Sequence, residues 1–352
     1  MPETEGGSSL SRTLLYWLEL QRLQWLTREK LQRLQDAKLR KLVSKTYEEV
    51  QFYRATYDRL RVERVLHHGV KGLDSLPIIS KRDLNSVPLE QRTSSSINPS
   101  KCMKRTTSGT SGEPFAILET KQSASYWKAL ILRSLWAYGI RPGDKVVRFI
   151  PRLGFEKIGF FWENLFTIPS VRPELVNLSQ EISLIVQKLQ DLKPAVLYAQ
   201  PSTLNRLMNY LQHNEKRMYL KKIITTGETL TPQLRKTFED FFSAEVYDRY
   251  SLVEVGNIAW ECPTHTAYHI NIDSIVLELV DPIKSGRGGQ RGEAVVTCLY
   301  RYATPIIRYT TGDLVEVIDD ECPCGRGLPL LKNVEGRVVD CVVKKDGSMI
   351  SP

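Results

Sequence analysis

The sequence predicts an α/β fold followed by a small β-rich subdomain, and three observations support this prediction. Between residues 121 and 242, short apolar segments of strand length alternate with longer segments whose apolar residues have helical spacing. Beyond about residue 250 the helical spacing nearly disappears and alternating segments replace it. Residues 11–57 contain neither proline nor glycine, which favours helix ahead of the alternating region.

The elements follow in order along the chain. Residues 11–57 predict one long or two consecutive amphipathic helices, and Ser80 is expected to cap a short helix, because a serine side chain accepts a hydrogen bond from a free amide of the first turn. The alternating region predicts strands at 144–150, 196–198 and 222–225 and helices at 121–138, 184–192, 203–212 and 232–242. Such alternation is typical of α/β layers with largely parallel strands.

The β-rich part is expected to be mostly antiparallel. Its strands are predicted at 269–279, 292–299, 306–309, 314–318 and 338–343. The domain boundaries that follow are a helical segment at 1–60, an α/β core at 61–250, a β-rich subdomain at 251–340 and a short C-terminal stub at 341–352.

Composition limits the class of protein. The 352 residues are 41% hydrophobic and 25% charged, which excludes wholesale disorder and a fibrous chain. No apolar stretch approaches the ~20 residues needed to cross a bilayer, and Glu3 and Glu5 stand where a signal peptide would be basic. We therefore expect a cytoplasmic protein with no membrane partner. The net charge of +9 is spread along the chain, and no nucleic-acid-binding module is present, so no nucleic-acid partner is expected.

A hydroxyl- and glycine-rich loop at residues 106–114 predicts a phosphate site. Glycine lets backbone amides approach an anion closely, and the hydroxyl groups add donors. The residues concerned are Thr107, Ser108, Gly109, Thr110, Ser111 and Gly112. The loop lacks the Gly-Lys-Ser/Thr ending of the Walker loop. The alternative interpretation is a flexible surface turn.

Two cysteine-containing pairs predict a structural zinc site. Cys262 with His265 and Cys322 with Cys324 supply three sulfurs and one imidazole, which is a full tetrahedral set with no open position. His269 competes with His265 as the fourth ligand. Unligated thiols are the alternative.

The order of these and other segments resembles that of adenylate-forming enzymes, most of all the branch that includes phenylacetate-CoA ligase. The resemblance covers the chain from about residue 15 onward. The segments that carry it are Phe52-Tyr53-Arg54, Leu76-Pro77 with Lys81, the loop 106–114, Pro201-Ser202, Thr225-Thr226-Gly227-Glu228, Tyr250-Ser251-Leu252-Val253-Glu254, Arg308-Tyr309-Thr310-Thr311-Gly312-Asp313, Cys322-Pro323-Cys324-Gly325-Arg326 and Gly336-Arg337.

This resemblance implies a layered αβαβα large domain that uses ATP, Mg²⁺ and CoA. Residues 107–112 would hold the β and γ phosphates of ATP, with Thr107 in a catalytic role. Glu254 would act catalytically by holding magnesium. The nucleoside would be bound on its adenine side by Gly227, Glu228, Tyr250 and Ser251, and on its ribose side by Asp313 and Arg337.

The implied function is activation of a carboxylic acid, by default an aromatic one, as an acyl-adenylate that is then transferred to CoA. One alternative is a nucleotide-binding scaffold without catalysis. Another is an adenylating enzyme that serves a carrier protein or other acceptor in polysaccharide or natural-product biosynthesis. The resemblance leaves the oligomeric state open, a homodimer included.

Several departures from the family pattern favour the nucleotide-binding scaffold without catalysis. Ser251 and Val253 replace a glycine and a hydroxyl residue of the aromatic motif, Thr310 stands where the ribose motif usually has arginine, and Val339 replaces an acid. The family also continues into a small domain that supplies a lysine to the forming acyl phosphate. Residue 352 lies where that domain is expected to begin, so truncation, a partner-supplied domain and loss of catalysis all stay open.

Overall fold

The computed structural model describes residues 9–107, 115–150, 173–285, 288–340, 342–343 and 349–350. The chain forms two compact units. The first comprises residues 1–130, 251–260 and 266–352, and the second comprises residues 131–250 and 261–265. Among the described helices, none is both long enough and apolar enough to cross a membrane.

Helices open the first unit, as the sequence predicts for residues 11–57. They are α1 (Ser9–Leu23), α2 (Arg28–Glu49), α3 (Gln51–Thr56), α4 (Arg59–His68) and α5 (Lys81–Asn85). The expected one or two helices are three, because Thr27 and Val50 have extended backbone conformations. Ser80 caps α5, and its partner Asp83 accepts a hydrogen bond from the Ser80 amide, which completes a capping box.

A β-hairpin that the sequence analysis did not predict follows these helices. Strands β1 (Met103–Thr107) and β2 (Phe115–Glu119) pair antiparallel, with Met103 opposite Glu119 and Thr107 opposite Phe115. Strand β1 contains one apolar residue among five and β2 is a short apolar run that ends at Glu119, so neither shows a clear periodic pattern. Helix α6 (Lys121–Ala137) comes next.

The second unit is a parallel α/β layer, which confirms the α/β class. Its elements are β3 (Val146–Ile150), β4 (Glu174–Asn177), α7 (Ile182–Leu192), β5 (Val196–Ala199), α8 (Pro201–His213), β6 (Lys222–Thr226), α9 (Pro232–Phe242) and β7 (Glu245–Leu252). The strand order is β7-β6-β5-β3-β4, with every neighbouring pair parallel. Apolar residues of these strands and helices form one buried cluster between them.

The remaining strands of the first unit are mostly antiparallel, as predicted. They are β8 (Gly256–Glu261), β9 (Tyr268–Ile270), β10 (Ile275–Ser285), β11 (Gly289–Cys298), β12 (Tyr309–Ile318), β13 (Leu330–Arg337), β14 (Val342–Val343) and β15 (Met349–Ile350). The order is β10-β11-β12-β13-β9-β8, and β14 pairs with β15. Strands β12 and β13 place Asp313 directly opposite Arg337.

Two predicted strands are corrected. The segment 269–279 is interrupted because the amides of Ser274 and Ile275 both donate to the carbonyl of Asn271, which closes a turn between β9 and β10. The segment 338–343 begins as the 3-10 helix Val338–Asp340, since the β12–β13 ladder ends at Arg337.

Candidate functional site

The expected ribose motif is a carboxylate oriented by a neighbouring strand. Arg337 Nε lies 2.9 Å from Asp313 Oδ1, and Arg337 Nη1 donates to the carbonyl oxygen of Thr311 at 3.0 Å. The Thr311 hydroxyl accepts from the Asp313 amide at 3.1 Å and donates to the Ala294 carbonyl. Gly312, with φ of +72°, turns the backbone between them. The two predicted residues are thus brought together, and their geometry follows from strand register.

Glu254 lies in the tight turn between β7 and β8. Its side chain is half-buried, whereas Val253 beside it is 45% exposed. The turn brings the Glu254 charge close to Tyr309, a residue that the sequence analysis gave no role. Burial raises the pKa of Tyr309. The carboxylates of Glu254 and Asp313 raise it further, whereas Arg337 opposes the shift. The charges of three predicted residues therefore act on one buried tyrosine.

The expected adenine-side residues lie at one edge of the second unit. Strands β6 and β7 are parallel neighbours with Thr226 opposite Arg249, so Gly227, Glu228 and Tyr250 follow at the carboxyl ends of adjacent strands. Ligands of open α/β sheets bind at that edge. Tyr250 is buried, and Gly227 has φ of +81°.

The Glu228 side chain has a partner that the sequence analysis did not assign. Its Oε2 accepts from the Ser202 amide at 2.8 Å, and its Oε1 accepts from the Ser202 hydroxyl at 2.7 Å. Ser202 lies in the first turn of α8, where amides lack helical partners and a negative charge is favourable. This carboxylate therefore caps a helix.

The phosphate loop is only partly described. Ser108, Gly109, Thr110, Ser111 and Gly112 lie outside the described residues. Thr107 is the last residue of β1. The loop residues follow β1 and precede β2, and these two strands pair antiparallel.

Four potential metal ligands lie close together, and three of them are the cysteines of the two predicted pairs. The ligand atoms of Cys262, His269, Cys322 and Cys324 lie within 4.8 Å of one another. Cys324 Sγ is 3.3 Å from His269 Nε2, and the Thr264 amide and hydroxyl donate to Cys262 Sγ at 3.4 and 2.9 Å. Tetrahedral zinc with sulfur at ~2.3 Å and nitrogen at ~2.0 Å needs such close approach of its ligands.

Of the two candidate imidazoles, the structure places His269 beside the three thiols, whereas His265 faces other groups. His265 Nδ1 lies 3.0 Å from Glu261 Oε1, and its Nε2 lies 3.5 Å from Glu245 Oε1. Its ring also stacks on Tyr247 at a centroid distance of 4.8 Å. The hydrogen bond to Glu261 raises the pKa of His265, although burial opposes the shift. Both ring nitrogens therefore face carboxylates.

The chain was compared with known families, curated proteins and solved structures. No family model matches it. It is 27% identical over 330 residues to phenylacetate-coenzyme A ligase of Thermus thermophilus, covering 86% of this chain and 69% of that protein. The corresponding ligase of Escherichia coli is 25% identical over 315 residues, covering 84% of this chain and 69% of that protein.

Solved structures show the fold. A 2-hydroxyisobutyryl-CoA ligase in the postadenylation state superposes with a TM-score of 0.80 at 23% identity, covering 94% of this chain and 72% of that chain. An open conformation of a 2-hydroxyisobutyryl-CoA ligase with 2-HIB-AMP and CoA superposes with a TM-score of 0.78 at 23% identity, covering 94% of this chain and 80% of that chain. The resemblance inferred from the sequence is therefore confirmed: over most of its length this chain is similar to phenylacetate-CoA ligases, and it has the fold of a CoA ligase.

Proposed function

We propose that this protein activates a carboxylic acid with ATP and passes the acyl group to CoA. The acid oxygen attacks the α-phosphorus of ATP, pyrophosphate leaves, and the CoA thiol then displaces AMP from the acyl-adenylate. An aromatic acid is the proposed substrate class because relatives that match 84–86% of this chain are phenylacetate-CoA ligases. The reaction needs positioning and charge neutralisation rather than a nucleophilic side chain.

The observation that carries this proposal is the pairing of Asp313 with Arg337. A buried carboxylate oriented by an arginine is a strong hydrogen-bond acceptor, which is the chemistry that the two hydroxyl groups of a ribose require. Glu254 would hold the magnesium ion, since a half-buried carboxylate is a ligand that a hard cation prefers. The hydroxyl-rich loop from Thr107 to Gly112 is the proposed phosphate site, and Ser251 is proposed to line the adenine side.

Calorimetric binding of magnesium-ATP tests the proposal before any acid is known. We expect saturable binding by the wild-type chain and at least tenfold weaker binding by Asp313→Ala, because charged hydrogen bonds contribute about 1.5–3 kcal/mol. Asp319→Ala is the matched control, since Asp319 is an exposed carboxylate paired with Arg28. Absence of binding at millimolar ATP would refute the proposal and favour a scaffold without nucleotide.

The acceptor needs a separate experiment because two further relatives bear names with an amine acceptor. They are a fumarate–(S)-2,3-diaminopropanoate ligase of Enterobacter agglomerans, 26% identical over 47% of this chain, and an indoleacetate–lysine synthetase of Pseudomonas savastanoi, 29% identical over 36%. An amine acceptor is therefore the second candidate. A panel of aromatic acids is screened for release of pyrophosphate from ATP. CoA or free amino acids are then added, and the acceptor is the one whose addition gives a stable acyl product.

We also propose that Cys262, His269, Cys322 and Cys324 hold a structural zinc ion. Three thiols and one imidazole form a closed set, so the ion would stabilise the fold rather than activate water. Protein purified without chelator should contain about one zinc per chain. His269→Gln should lose the ion and His265→Gln should keep it. Equal zinc content in both variants would contradict this ligand set.

A further inference from the structure

The turn that carries Glu254 is held by side chains from the end of strand β11 and from the turn that follows it. The carbonyl oxygens on both sides of Glu254 belong to Val253 and Val255. Arg301 Nη1 donates to the first at 3.2 Å. The Tyr300 hydroxyl and the Cys298 thiol donate to the second at 3.1 and 3.3 Å. The backbone that presents the Glu254 carboxylate is thus fixed on both sides.

The donors of this contact are buried and remain protonated. Arg301 is 1% exposed; burial disfavours its charge, but attraction to Glu119 raises the pKa of Arg301 above its usual value. Burial also raises the pKa of the Cys298 thiol and of the Tyr300 hydroxyl, so both carry the proton that they donate.

Glu119 connects Arg301 to the hairpin whose strands flank the hydroxyl-rich loop. Its Oε1 lies 3.4 Å from Arg301 Nη2, and its Oε2 accepts from Arg105 Nε at 2.7 Å. Glu119 is on β2 and Arg105 is on β1. A second bond joins the same parts of the chain, because the Leu118 amide donates to the Thr304 hydroxyl at 3.0 Å. A continuous path of buried polar contacts therefore runs from the hairpin to the Glu254 turn.

We infer that Arg301 and Glu119 are positioning residues that fix the Glu254 carboxylate relative to the β1–β2 hairpin. The metal-binding role of Glu254 rests on the proposed function, whereas the fixing of its turn does not. A carboxylate that must meet a cation and phosphate oxygens together gains from a backbone held in advance. Arg301 suits this task because its guanidinium group can bind Glu119 and the Val253 carbonyl at once.

Two measurements on Arg301→Met test the inference separately from the proposed function. Hydrogen exchange of nucleotide-free protein reports the turn, and we expect amides of residues 253–256 to exchange about tenfold faster. Manganese affinity in the presence of ATP reports the carboxylate, and we expect it to fall about tenfold, while metal-free ATP binding changes less than about twofold. Glu254→Gln should remove the metal dependence of ATP binding but leave the amide exchange of residues 253–256 at the wild-type rate.

The controls separate positioning from general destabilisation. Arg291→Met removes a half-buried ion pair with Glu335 elsewhere in the same unit and should leave both readouts unchanged. Arg301→Lys keeps the charge, provides a variant if methionine prevents folding, and should give intermediate exchange. Wild-type exchange in a folded Arg301 variant would overturn the inference. So would equal weakening of ATP binding with and without metal. If the wild type binds no nucleotide, the proposed function fails while exchange still decides whether the turn is held.

Discussion

Replacing Gly256 with alanine should be strongly destabilising. Gly256 has φ of +95°, and a β-carbon built on it would lie 2.1 Å from the Tyr300 hydroxyl and 3.1 Å from Trp127 Cδ1. The backbone conformation alone costs a non-glycine residue about 1–3 kcal/mol. Displacing the hydroxyl removes its bond to the Val255 carbonyl, which still accepts from the Cys298 thiol, so this loss adds about 0.5–1.5 kcal/mol. We therefore expect a loss of about 1.5–4.5 kcal/mol in the free energy of unfolding.

Urea unfolding followed by circular dichroism provides the assay, with two comparison variants. Gly143 also has a positive φ, 101°, but a β-carbon added there would meet no atom of the described residues within 4 Å, so Gly143→Ala should cost only the backbone strain, about 1–3 kcal/mol. Tyr300→Phe removes the clashing oxygen. The double variant Gly256→Ala/Tyr300→Phe should therefore be less destabilised than the sum of the two single changes, by about 1 kcal/mol or more. Additive effects, or equal losses for the two glycine variants, would refute the steric argument.

Three further predictions concern charge and metal. Burial lowers the pKa of Lys128 to about 8, so between about pH 8 and 10.4 the unfolded chain binds more protons and stability should rise with pH; Lys128→Met should flatten that rise in a pH series of urea midpoints. Glu228→Gln should lower the stability by about 1 kcal/mol because the carboxylate caps α8 through Ser202, and unchanged stability would exclude that role. A chelator should lower the unfolding temperature of the wild type and of Cys102→Ser but leave that of Cys324→Ser unchanged, and equal shifts in all three would contradict the zinc proposal.

Local features of the sequence were sufficient for most secondary structure. The helix predicted at 232–242 has those bounds, and the Ser80 cap forms as expected, because apolar spacing and capping act over a few residues. The hairpin at 103–119 was not predicted because β1 has little apolar character and β2 is short. Glu119 is buried with its charge because Arg105 and Arg301 lie beside it, and Arg301 is distant in sequence. No local pattern reports such a partner.

Residue types and their order along the chain were enough to indicate which chemical groups this protein carries and which proteins it resembles. Which of those groups lie next to one another depends on how the chain folds. Strand register places Arg337 opposite Asp313, and the fold places the His265 ring beside Glu261 and the His269 ring beside Cys324. Spacing along the chain is equally compatible with either histidine as a ligand. The distance between two side chains far apart in sequence depends on how the intervening strands pair, which residue types alone do not specify.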